Sequence, residues 1–178
     1  MKRLVWAFAS VRVLSLPLLL SNVVGCADES AGGAGLTFNA CAPLVSDAAT
    51  SMTAEQAQGV ADGLAMWNQA AGTLLTSPVS SATFAPSETT PVVPLVFQVA
   101  APPFHGVYDN HAGMVFINQD LTDVGPLHIT VAHEIGHVFG LPHVSRDVRA
   151  SLMNSGNTAI SITPEDVAAL AALWGPCP

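Results

Sequence analysis

Apolar residues recur at helical spacing in several stretches of this chain and run almost unbroken in others. Val60, Leu64, Trp67 and Ala71 fall at intervals of three and four, which places them on one face of a helix. Thr53 with Gln56 three residues on has the form of a capping box, so that helix is expected to start there and to end near Gly72. Val92 to Val99 is apolar and β-branched, with Pro94 near its start, and Gly113 to Asn118 is similar; both predict strands. Pro102 to Ala112 between them reads as a loop or hairpin, and Ser77 to Pro91 as a loop without periodicity. A helix is expected from about Leu127 to Phe139, stopped by Gly140 and Pro142. Thr163 as N-cap, Pro164 at the first position and Asp166 at the third mark a last helix, with Val167, Leu170 and Leu173 as its buried stripe. No internal repeat is visible. The order of helix, strands, helix, irregular turn and helix predicts an α+β domain with a sheet packed on two helices.

The first residues follow another plan. Lys2, Arg3 and Arg12 precede an apolar run from Val13 to Leu20, and small residues lead into Cys26. This is the layout of a secretory signal over residues 1–25, and its apolar run is too short to span a bilayer. Val23-Val24-Gly25-Cys26 resembles a bacterial lipobox, in which the Cys becomes the lipidated first residue of the mature chain. Lipid on Cys26 would then be the only membrane contact, and Ala27 after it fits outer-membrane sorting. The plainer alternative is a cut near Gly25 and free release. Residues 26–40 are expected to be a tether and 41–178 a single domain, located in the bacterial envelope or outside the cell.

After Cys26 the only cations are Arg146 and Arg149, against all 13 Asp and Glu, a net charge of −11 with His neutral. Such a surface excludes nucleic acid as a partner, since that needs a basic footprint. Cys41 and Cys177 remain as a pair, and in an oxidising compartment a disulfide between them is the default. The other reading makes Cys41 a thiolate that caps a metal and keeps an enzyme latent.

His133-Glu134-Ile135-Gly136-His137 lies in the helix expected from Leu127. Residues four apart share a face, so two imidazoles can meet one Zn²⁺ at about 2.0–2.1 Å. Glu134 is turned about 100° away and is free to act as a base on water at the metal. The motif continues to Gly140 and His143, where glycine lets the chain leave the helix and bring back a third imidazole. Three protein ligands and one open position are the requirement of a catalytic zinc.

These residues resemble the extended zinc motif of the metzincin clan of metallopeptidases at every fixed position. Ser151-Leu152-Met153-Asn154 is similar to the clan's Met-turn, which implies that Met153 packs below the metal without ligating it. The short spacing to Met153, Ile162 to Asp166 before a final helix, and Leu173-Trp174-Gly175 at its end most resemble matrixins. The resemblance implies a twisted mixed sheet on two long helices, a Met-turn and a C-terminal helix. It also implies a monomeric zinc endopeptidase acting on protein or peptide substrates. An extended substrate would add as a strand to an edge formed by Gly113 to Asn118, touching Gly113, Met114 and Val115, and the wall of the specificity pocket would come from Val144 to Ser161. His105, Asp109 and His111 would be candidates for a second metal, Zn²⁺ or Ca²⁺. Asp120 and Asp123 suit either a calcium site or the helix dipole, and His128 a surface or capping role. The sequence departs from the clan in having no Tyr after the Met-turn, Val144 directly after His143 and no clear inhibitory cysteine motif. The rival function is a catalytically silent envelope lipoprotein that binds zinc or a partner.

Overall fold

The computed structural model describes residues 35–48, 52–77 and 89–178. The expected signal over residues 1–25, Cys26, most of the 26–40 tether and residues 78–88 of the loop lie outside them. Eight elements follow in order: β1 (Leu44–Ala48), α1 (Ala54–Ala71), β2 (Leu75–Thr76), β3 (Val92–Gln98), β4 (Gly106–Asp109), β5 (Met114–Asn118), α2 (Val124–Val138) and α3 (Pro164–Trp174). Among the described residues, no helix is long and apolar enough to cross a membrane.

Local chemistry explains the helix ends. The amide of Gln56 donates to Thr53 Oγ1 at 3.2 Å and the amide of Thr53 to Gln56 Oε1 at 3.0 Å, which closes the capping box of α1. α2 begins three residues earlier than its apolar spacing suggests, because Asp123 is its N-cap and Oδ1 accepts from the Gly125 amide at 3.0 Å. That contact gives Asp123 a structural use beyond the helix dipole. His128 Nδ1 lies 2.9 Å from the Val124 carbonyl, so this histidine bonds back to its own helix.

The sheet order is β2-β1-β3-β5-β4, parallel throughout except for β4, which runs antiparallel to β5. Alternation along β3 and β5 sends Val93, Leu95, Val115 and Ile117 into the core. There they join Trp67 of α1 and Leu127, Val131 and Ile135 of α2. Trp67 Nε1 donates to the Ala132 carbonyl at 2.8 Å, and its ring meets Phe139 edge-on with centroids 6.0 Å apart.

One expectation fails here. β5 is paired on both sides, by β3 and by β4, so Gly113, Met114 and Val115 offer no open edge to a substrate. Gly113 instead makes the β4–β5 turn, with φ 66° and its amide on the Asp109 carbonyl at 2.8 Å. Among the described residues the edge strand beside β5 is β4, and β2 is the edge at the other end. Pairing partners are set by contacts distant in sequence, and the composition of β5 is as suited to the interior as to an edge.

Cys41 and Cys177 form a disulfide across a sequence separation of 136, which removes the reading of Cys41 as a metal-capping thiolate. Cys41→Ser/Cys177→Ser should lose on the order of 4 kcal/mol. Urea denaturation with and without reductant checks this: the reductant should lower the midpoint of the parent chain and leave that of the double variant unchanged.

Candidate metal centre

α2 puts His133 and His137 one turn apart on one face, and their ring centroids lie 4.8 Å apart. The helix then stops. Gly140 takes φ 91°, a conformation that side-chain-bearing residues rarely adopt, and the chain turns back so that His143 faces the other two. The three Nε2 atoms form a triangle with edges of 3.1, 3.1 and 3.2 Å.

The second nitrogen of two rings settles which tautomer is present. His133 Nδ1 is 2.7 Å from the Leu152 carbonyl and His137 Nδ1 is 2.8 Å from the Leu141 carbonyl. A carbonyl only accepts, so each Nδ1 carries the proton and each Nε2 presents its lone pair. Burial pushes the pKa of His133 down to about 4, with the hydrogen bond to Leu152 opposing it in part. Burial, reinforced by the two neighbouring imidazoles, pushes His137 down to about 3. Both are therefore neutral near pH 7, the form that binds metal.

The donor set fits zinc. A tetrahedron with arms of about 2.0 Å has edges of about 3.3 Å, close to the observed triangle, and three imidazoles leave one position open. Among the described residues, this is the only group of three or more His, Cys, Asp or Glu whose ligand atoms converge. His105, Asp109 and His111 do not come together as a second site. Asp109 Oδ1 instead accepts from the amides of His111 and Ala112 at 2.9 and 3.0 Å and closes the β4–β5 turn, and those bonds hold its carboxyl below the usual range.

Glu134, next to the first ligand, is fully buried. The edge strand comes directly against it: a Cβ placed on Gly106 would lie 3.0 Å from Glu134 Oε1 and 3.1 Å from its Cγ. A side chain at this position would crowd the carboxylate and Thr130, so glycine suits the close approach of β4. On the neighbouring side of α2, Met153 is 1 % exposed, and its Sδ would stand 2.5 Å from a Cβ on Gly136. The glycine inside the motif is therefore a packing requirement.

A residue noted in the sequence only as a helix starter organises this region. Asp166 of α3 accepts from the amides of Leu152 and Thr163 at 2.9 and 3.0 Å, from Ser151 Oγ, and from Arg149 Nη1 at 2.9 Å. Since Leu152 holds His133, the carboxylate is two contacts from the metal position. Burial raises the pKa of Asp166, but the hydrogen bonds and Arg149 outweigh it and hold the group below its ordinary value. The sign follows: its stabilisation is present above the unfolded carboxylate pKa and is lost as pH falls through the lower folded one. Asp166→Asn should cost on the order of 2 kcal/mol at pH 7, and thermal melts should show the gap from wild type closing as the solution is acidified. Asn154 ties the turn to the third ligand, with Nδ2 donating to the Val144 carbonyl at 2.9 Å, and the Val144 amide donates to the Met153 carbonyl at 2.8 Å.

No protein-family profile and no curated protein sequence matches the chain. Solved structures do. One structure of myroilysin has a TM-score of 0.56 at 13 % identity, covering 86 % of this chain and 92 % of that one. A second has 0.57 at 12 %, covering 85 % and 91 %. An archaemetzincin from Methanopyrus kandleri has 0.51 at 12 %, covering 75 % and 96 %. At these identities the likeness is one of fold. Fold and triad together define a metzincin-like zincin domain, α+β, with the mixed five-stranded sheet and three helices described above.

Proposed function

We infer that the protein is a zinc-dependent endopeptidase. The observation that carries this reading is the convergence of three Nε2 lone pairs, two of them on imidazoles held neutral by burial, beside a buried carboxylate with no ligand role. His133, His137 and His143 would hold the ion, and Zn²⁺ bound there supplies Lewis acidity, which acidifies water and polarises a carbonyl.

The chain's own groups do the rest. Glu134 takes the proton from the attacking water and passes it to the leaving amine nitrogen. Its burial next to Gly106 keeps the carboxylate in one place. Among the described residues β4 pairs only with β5, so its outer edge is where an extended peptide adds as a further strand and lays its carbonyl beside Glu134. The loop from Val144 through the Met-turn to Ser161 forms the pocket wall. The Cys41–Cys177 disulfide supports export to an oxidising compartment. Cys26 as a lipid anchor in the envelope is part of the same proposal.

The test is cleavage of unfolded protein and quenched-fluorescent peptides by the zinc-loaded chain. Turnover that a chelator abolishes and added zinc restores is the expected result. One bound zinc with no cleavage across a broad peptide library would overturn the peptidase in favour of a zinc-binding module.

A further inference from the structure

The segment before the edge strand has a composition at odds with the rest of the surface. From Pro91 to Tyr108 there is no Asp, Glu, Lys or Arg, in a chain with 13 acidic residues. Within it, Val99-Ala100-Ala101-Pro102-Pro103-Phe104 is a continuous apolar run, and Val99, Ala101, Pro102 and Pro103 are exposed, Val99 to 73 %. Exposure of single apolar residues is ordinary; four exposed within a run of six, just before the strand that faces Glu134, make a recognition feature.

The run is pinned in place. Asn118, 6 % exposed, donates from Nδ2 to the carbonyls of Ala100 at 3.3 Å and Phe104 at 2.9 Å, and from its amide to His105 at 2.8 Å. The Phe104 amide closes a turn on the Ala101 carbonyl at 3.1 Å, and the Gln119 amide holds the Gln98 carbonyl at 2.9 Å. A buried polar side chain thus fixes the shape of an apolar protrusion, and its ordering entropy is already spent before any partner arrives.

Position says what that partner is. Phe104 is two residues from Gly106, so at most about 7 Å separates its Cα from that of the glycine whose Cβ position faces Glu134. A peptide lying along β4 and crossing Glu134 runs in one direction beside Val107 to Asp109 and in the other past this loop. Pro102 and Pro103 have no N–H to offer, so a β-ladder cannot continue there and side-chain contact must replace it. We propose that the loop Val99–Phe104 is a specificity surface for apolar side chains of the peptide substrate, on one side of the scissile bond only. This rests on the peptidase reading and names the substrate class: apolar, uncharged segments.

The test measures binding apart from cleavage. Full-length, zinc-loaded Glu134→Gln protein is titrated with labelled peptides in two series, carrying Leu or Glu at successive positions on either side of a central bond. The Leu series should bind about tenfold tighter on one side, the gain from covering roughly 60 Å² of apolar surface. Adding Ala101→Lys, an exposed change, should weaken the Leu peptides and tighten the Glu peptides, with circular dichroism and zinc content unaltered. Equal affinities for the two series, or a preference that Ala101→Lys leaves untouched, overturns the proposal. Wild-type cleavage of the same peptides separates the two readings. Selective binding without cleavage keeps the loop and removes the peptidase; cleavage without selectivity does the reverse.

Discussion

Glu134→Gln should retain one zinc per chain and lose about 10²- to 10⁴-fold in kcat/KM, the range set by the loss of a positioned general base. The substitution is nearly isosteric, which matters because the side chain is fully buried and faces the strand at Gly106. An amide fits the same space and keeps hydrogen-bonding capacity, but it does not take a proton near neutral pH. Zinc content measured beside peptide turnover separates this effect from loss of the metal. Undiminished turnover in the variant would show that another group moves the proton, and the role given to Glu134 would fall.

His143→Ala should act on the opposite quantity. It leaves Glu134 and the helix intact but reduces the site to two imidazoles, His133 and His137. Loss of a mere orienting contact to a ligand costs about 10- to 100-fold in metal affinity, so loss of a ligand should exceed that. Competition with a chromophoric chelator should show zinc leaving at concentrations where the parent chain stays loaded, and turnover should fall with occupancy. The fold should survive, because the pairing of Val144 with Asn154 and the contacts of the Met-turn use backbone and neighbouring side chains, not the imidazole. Unchanged zinc affinity would remove His143 from the ligand set.

Features governed by short-range chemistry were legible in the sequence. Thr53 with Gln56 and Thr163 with Asp166 mark helix starts because a cap is made within three residues. The triad was legible for the same kind of reason: two ligands share one helix face, and Gly140 marks the point where the chain can turn back for the third. What escaped depends on partners distant along the chain. β4 has four residues and β2 two, too few for periodicity to register, and the interior place of β5 follows from ladders to β3 and β4. Asp166 carried a clear local signal as a cap and gave no hint of its bonds to Ser151 and Leu152, fifteen and fourteen residues back. The approach of Gly106 to Glu134 crosses from sheet to helix and has no signature at either position. His105, Asp109 and His111 were the reverse case, ligand-type residues in suggestive order that the turn at Asp109 uses for its own closure.

The bonding of Asp166 has a consequence for when the metal centre is complete. His133 is oriented by Leu152, Leu152 is held by Asp166, and the α3 helix carrying Asp166 leads to a cysteine paired with Cys41. A chain emerging from synthesis N-terminus first can complete the HExxH helix while its histidine remains unoriented, because the groups that orient it have not yet appeared. On the peptidase reading, competence to cut other chains is thereby deferred until nearly the whole domain has been made and closed. The timing is written into the order of the contacts, and no separate inhibitory segment is required to produce it.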